Sequence, residues 1–282
     1  MVIHNKTVMI YDIEVFPNTF HCVLLNTDNE ELYKFEISER KNQIRELVQF
    51  FTNPKYLLCG YNNKHYDDVI INYIIDYIDE MLCKSIYDVT LSLFNLSQTI
   101  INLEDGNISK IKRWKYANYF ESMDLLTMMF SSKLRVGLKS MQITMQYQNV
   151  QEYSGDFGSF LPKDKIDEMI SYNINDVKST YSLFNYLVKN GDIDLRLFIE
   201  QEYGFNALSM DSVKFGETLI AKKVCEELHI NKRQLEQMRS PMDNIPLKDV
   251  ILPFIRYKNP KFQEALEDMK KQVVSSKNKK PG

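Results

Sequence analysis

Asp12 and Glu14 alternate with apolar residues in the run Val8-Met9-Ile10-Tyr11-Asp12-Ile13-Glu14-Val15-Phe16. Residues i and i+2 of a strand face the same way, so this pattern sets two carboxylates side by side. On a hydrophobic strand they repel and lose hydration, which is costly unless a cation offsets it. A divalent ion with hard oxygen ligands is the natural occupant; a strand end leaving the core with both carboxylates solvated is the plainer account. Asp28-Asn29-Glu30 repeats the spacing inside a polar turn-like run, so the apolar surroundings of Asp12 carry the weight. Asp67 and Asp68 follow the apolar run Leu57-Leu58-Cys59-Gly60 and a polar loop. One of them can cap the next helix, which leaves the other to spare. Tyr172 and Asp176 are i and i+4 on a helical pattern and share a face, as a catalytic pair or as simple surface neighbours. Converging, Asp12, Glu14, Asp67 and Asp176 would hold two divalent cations about 3.5–4 Å apart, the arrangement that stabilises attacking and leaving oxygens in phosphoryl transfer. Tyr172 would position a water, and an all-oxygen ligand set suits Mg2+ or Mn2+ better than zinc.

The elements that must position these groups read as an α/β fold. Val8–Glu14, Thr19–Leu25 and Leu32–Glu36 alternate like the strands of a meander. A helix is expected over Ser38–Phe51 with Ser38 as its cap, a buried parallel strand over Tyr56–Tyr61, and a helix over Asp67–Ile78. Leu82–Lys115 reads as less regular. A strand over Tyr119–Leu126, a helix over Leu138–Tyr147 and a long helix over Pro162–Lys189, interrupted near Ser171, follow. Helices are also expected over Glu217–Leu228 and Lys261–Val274, with a Pro-punctuated connector over Pro241–Pro260. The expected division is a first domain over 1–195, a mostly helical extension over 196–274 and a disordered tail over 275–282.

The chain has 282 residues, 44% hydrophobic and 26% charged, which is ordinary globular composition. Its net charge of −3 argues against wholesale wrapping of nucleic acid but leaves room for a local groove. No apolar stretch approaches the roughly 20 residues of a membrane span, and no signal peptide is evident. Cys22, Cys59, Cys83 and Cys225 have no paired spacing, so neither a zinc site nor a disulfide framework is expected, and the compartment is read as intracellular and cytoplasmic. Lys110-Ile111-Lys112-Arg113-Trp114-Lys115-Tyr116 interleaves base and aromatic, which suits a single strand or a solvated amphipathic face.

The three carboxylate segments, in this order, resemble the motifs of the DEDD superfamily of 3′–5′ exonucleases. Asp12-Ile13-Glu14 matches Asp-x-Glu, Asn62-Asn63-Lys64-His65-Tyr66-Asp67 resembles the Asn-x(2–3)-Phe/Tyr-Asp motif, and Tyr172 to Asp176 matches Tyr-x3-Asp. Tyr172 in place of a histidine points to the tyrosine branch, and the overall likeness is to the proofreading domain of family B DNA polymerases of the protein-primed bacteriophage type. The resemblance spans residues 8–180. It implies an RNase H-like mixed sheet flanked by helices, acting as a metal-dependent exonuclease on single-stranded DNA 3′ ends in replication proofreading. By the same likeness Asp12, Glu14 and Asp176 share one metal, Asp12 and Asp67 hold a second, and Tyr172 orients the water. Asn62 or Asn63, Tyr66, Ser122 and Lys139 are the implied substrate contacts. Asp124, after an apolar run, is a rival carboxylate or a simple strand-terminating acid. No palm-type polymerase motif follows, so polymerase activity is not expected of this chain. A polymerase subunit or domain is the expected partner, and a binding module that docks a polymerase or primer terminus with little turnover is the alternative function.

Overall fold

Alternating hydrophobic residues near the N-terminus build one mixed sheet, seen here in a computed structural model that describes residues 1–103, 117–130, 136–238 and 244–275. Strands β1 (Val2–Ile3), β2 (Lys6–Phe16), β3 (Thr19–Asn26), β4 (Leu32–Ser38) and β5 (Lys41–Asn42) pair antiparallel in sequence order. On the other side of β2, β6 (Tyr56–Gly60) adds in parallel, and β7 (Ser122–Asp124) adds in parallel to β6. The order across the sheet is β5-β4-β3-β2-β6-β7, with β1 pairing on β2. Helices cover both faces, giving the mixed α/β architecture.

The two-residue period of β2 sorts its side chains between two cores. Met9, Tyr11, Ile13 and Val15 pack into one, with residues of α1 (Ile44–Phe51), α2 (Asp67–Asp76), α3 (Ile78–Leu82) and α4 (Ile86–Ile101). Val8 and Ile10 pack into the other, with α5 (Leu125–Met129), α6 (Leu138–Thr144), the long α7 (Ile166–Lys189) and Ile193 of α8 (Asp192–Tyr203). Asp12 and Glu14 continue the second series and therefore lie on the α7 face. Arg40 ties α7 to the sheet, gripping Glu36 of β4 and donating to Asp167 at 2.7 Å.

Several elements differ from the sequence expectation. Ser38 ends β4 instead of capping a helix, and α1 starts at Ile44, because Lys41 and Asn42 first turn back as β5. Part of the segment expected to be irregular is the 16-residue helix α4, capped by Ser85, whose hydroxyl accepts from the Asp88 N–H. The helix expected to break near Ser171 runs unbroken from Ile166 to Lys189, with the Ser171 hydroxyl donating to the Asp167 carbonyl one turn back. Only Ser122–Asp124 of the expected 119–126 strand pairs, and Leu125 already begins α5. The expected helix over 261–274 ends at Lys270, and Val273–Ser275 forms β9.

The chain divides into two compact units, Met1–Leu219 and Ile220–Gly282. The second contains α10 (Lys232–Gln237), the antiparallel pair β8 (Asn244–Pro246) and β9 (Val273–Ser275), α11 (Leu247–Val250) and α12 (Pro260–Lys270); α9 (Ser212–Glu227) crosses the boundary. Among the described residues, no helix is long and apolar enough to cross a membrane. The basic-aromatic run 110–116 and Lys277, Lys279 and Lys280 lie outside the described residues.

Candidate metal centre

The site lies where the sheet opens. β6 pairs with β2 only as far as Ile10↔Cys59, whereas β2 continues to Phe16. Beyond Ile10 no strand among the described residues pairs with the β6 side of β2, and the Asp67 carboxylate takes its place: Oδ1 accepts from the Ile13 N–H at 3.2 Å. Asp67 is the first residue of α2 and is buried, so its carboxyl group is held against the stretch of β2 that carries Asp12 and Glu14. From the opposite face, α7 delivers Asp176. One ligand oxygen from each of Asp12, Glu14 and Asp176 lies within 4.8 Å of the others, which brings together three carboxylates separated by up to 164 positions in sequence.

Such crowding requires support, and α7 and α6 provide it. Asn173 Nδ2 donates to Asp12 Oδ2 at 2.7 Å. Gln142 Nε2 donates to Asp176 Oδ1 at 3.1 Å and to Ser179 Oγ at 2.7 Å. Lys139 Nζ pairs with Asp176 Oδ1 at 2.5 Å and sits 4.6 Å from the centre of the Tyr172 ring. Asn173 and Gln142 were not singled out from sequence. Asn173 adjoins Tyr172 and lies three positions from Asp176, so helical phase alone would have placed it near that face.

The electrostatics follow from burial and repulsion. Burial, then Asp176 and Asp67, push the Glu14 carboxyl up to about 8, with Lys139 and Asn173 opposing. Burial, then Asp67, Glu14 and Asp176, raise Asp12 well above the usual carboxylate range. Asp67 is likewise raised to about 8, chiefly by burial. Asp12 and Glu14 keep some solvent contact although protein surrounds them. Proton retention and cation binding are the two ways such a cluster lowers its cost. Clustered carboxylate oxygens are a hard donor set that fits a divalent cation such as Mg2+ or Mn2+. Among the described residues the buried Asn173 Oδ1 has no hydrogen-bond partner, which leaves one further oxygen donor beside Asp12.

The adjacent pair Asp67-Asp68 separates by role. Asp68 is fully buried and accepts from the Tyr11 hydroxyl, from Asn63 Nδ2 at 2.9 Å and from Ser122 Oγ at 2.5 Å. Ser122 is therefore joined to a carboxylate inside the fold. Asn63 is buried beside Gly60, where a Cβ would come within 2.8 Å of the Asn63 Cβ; glycine is what lets the loop close so tightly. Asn62 is exposed, in the left-handed region at φ 64°, and its N–H donates to Asp124 Oδ1 at 2.8 Å. Asp124 also accepts from the Leu126 N–H and the Thr127 hydroxyl, which makes it the N-cap of α5. Tyr66 packs against the first core with its hydroxyl 2.6 Å from Ser97 Oγ.

No protein-family model matches this chain, and no curated protein sequence matches it. Solved structures similar to it include E. coli Exonuclease I in complex with a dT13 oligonucleotide, at 14% identity and a TM-score of 0.31, covering 67% of this chain and 42% of that one. The zinc-bound form of the E. coli ExoI–ssDNA complex is similar at 15% identity and a TM-score of 0.28, covering 69% and 42%. The chain thus spans about 42% of the length of these structures.

Proposed function

We propose that the chain is a metal-dependent 3′–5′ exonuclease acting on single-stranded DNA ends, of the tyrosine branch that serves replication proofreading. The observation that carries this reading is the meeting of Asp12, Glu14 and Asp176 within 4.8 Å, with Asp67 on the same length of β2. In this reading Asp12, Glu14 and Asp176 would hold one divalent cation, and Asp12 with Asp67 would hold the second. When bound, such cations polarise the phosphate and make a water nucleophilic at neutral pH. Burial, then Asp176 and Glu14, push the Tyr172 hydroxyl above its usual value. It therefore stays protonated and orients the attacking water as a hydrogen-bond donor, without acting as a base. Lys139 bears positive charge beside both Asp176 and Tyr172, where it can meet the scissile phosphate. Exposed Asn62, rather than buried Asn63, is the loop amide available to the 3′-terminal nucleotide. Digestion of a 3′-labelled oligonucleotide with Mg2+ is the test. The wild-type chain is expected to shorten it from the 3′ end and Asp12→Ala to leave it intact; equal rates for the two would refute the reading.

A further inference from the structure

Beyond the carboxylates, β2 ends in a turn that anchors two solvent-exposed aromatic rings. Phe16 lies two residues after Glu14 on the same face of the strand and is buried with Leu161, Ile166 and Met169, against which Tyr153 and Tyr172 pack. Asn18, in the following turn, fixes the backbone of Leu161 reciprocally: its Nδ2 donates to the Leu161 carbonyl and its Oδ1 accepts from the Leu161 N–H, both at 2.9 Å. Thr90 of α4, fully buried, donates to the Pro17 carbonyl at 3.1 Å. One turn therefore positions both Phe160 and the first turn of α4, which carries Tyr87. Tyr87 is 46% exposed and Phe160 58% exposed. Their ring centres are 5.9 Å apart at 57°, and they border a cavity of about 340 Å³ with Ile86 and Pro162. Its charged rim residues, Lys163 and Glu39, neutralise one another.

We infer that Tyr87 and Phe160 form a stacking platform for an unpaired nucleobase of a single strand whose 3′ end lies at the carboxylates. This inference rests on the exonuclease reading and names where that substrate is held. Exposed rings beside a cavity offer π-faces to a base, and base–aromatic stacking is the sequence-tolerant way to hold a single strand. A paired lysine and glutamate leave no net charge to capture an isolated phosphate, so the contact is with a base and not with the backbone. Asn18 follows Glu14 by four positions, a reach of at most about 14 Å. The platform is thus tied to the cleavage site through one strand end, and it would receive a nucleotide upstream of the one being removed. Fixed anchoring by Asn18 and Thr90 means that the rings need little ordering when a base arrives.

Fluorescence anisotropy with phosphorothioate-linked oligothymidylates, which resist cleavage, tests the platform in the full chain with Mg2+ present. Tyr87→Ala and Phe160→Ala are each expected to weaken binding of a dodecamer about 5- to 150-fold, with a smaller loss for a dinucleotide, which has fewer bases to offer the rings. Tyr87→Phe and Phe160→Tyr should restore affinity. The slope of log affinity against log salt should not change, because no phosphate contact is lost. Unchanged dodecamer binding in both alanine variants overturns the inference. So does an equal loss for dodecamer and dinucleotide, or a change in sedimentation showing that the rings instead join two copies of the chain. Cleavage of ordinary phosphodiester strands separates this inference from the reading beneath it. If the wild type cleaves and both alanine variants match it in binding and rate, the platform fails while the exonuclease reading stands. If the variants lose binding but the wild type never cleaves, the platform stands and the exonuclease reading fails.

Discussion

Glu14→Gln should stabilise the metal-free protein at alkaline pH while removing its activity. Burial and the neighbouring Asp176 and Asp67 push the Glu14 carboxyl from 4.5 to about 8, and each pH unit of such a displacement corresponds to about 1.4 kcal/mol. The full displacement would amount to roughly 5 kcal/mol. Glu14 keeps partial solvent contact, and screening there reduces the usable figure to about 2 kcal/mol. The sign follows from the direction: the folded state holds this proton more tightly than the unfolded chain does. The contribution is therefore fully present below about 4.5 and is lost as the pH rises through about 8. Glutamine has nothing to ionise, so the variant avoids that loss. In EDTA at pH 8.5 its melting temperature should exceed that of the wild type by about 4–8 °C, from about 2–4 °C per kcal/mol for a domain of this size. At pH 5 the gap should narrow, and hydrolysis of a single strand in Mg2+ should fall by roughly 100-fold or more, since a ligand to the charge-stabilising cation is lost. Thermal melts at the two pH values, with a parallel rate measurement, read all three effects. A melting temperature lowered equally at both pH values would refute the account of Glu14 as a strained, functional carboxylate.

Other perturbations probe the same arrangement. Mn2+ or Mg2+ at about 100 times its dissociation constant should stabilise the wild-type chain by about 2.7 kcal/mol, and Asp176→Ala should abolish that gain; a calorimetric titration gives the affinity directly. Asp68→Ala should act in the opposite sense to Glu14→Gln. It strands the buried donors of Tyr11, Asn63 and Ser122 and should cost about 3 kcal/mol or more in urea unfolding, as expected when several buried donors lose their common acceptor. Lys139→Met removes the cation that opposes repulsion at Asp12 and Glu14. It should lower the metal-free melting temperature more at pH 8 than at pH 5, where Glu14, raised to about 8, is largely protonated.

The meander, the parallel β6 and the long α7 were legible in the sequence because the period of the apolar residues reports which face of an element is buried. Helix α4 was not. Its apolar residues include Ile86, Val89, Leu91, Leu93, Phe94, Leu96, Ile100 and Ile101, and with so many positions filled no single stripe stands out, although Val89, Leu93 and Ile100 are the ones buried. The carboxylate types and their order were likewise present in the chain, as was the pairing of Asp12 with Glu14 on one face of a strand. Periodicity could not decide between neighbours in the first turn of a helix or in a loop. Asp67 and Asp68 are successive helical residues about 100° apart. Only the early end of β6 determined that Asp67 meets the Ile13 N–H, left without a strand partner among the described residues, while Asp68 turns to Tyr11. The same close packing at Gly60 buried Asn63 and left Asn62 exposed. Sequence specified which side chains each element presents and to which side. Where three elements meet, the backbone around them decided which carboxylate is shared by the site and which is consumed by the fold, because that choice depends on hydrogen-bond partners supplied by distant segments.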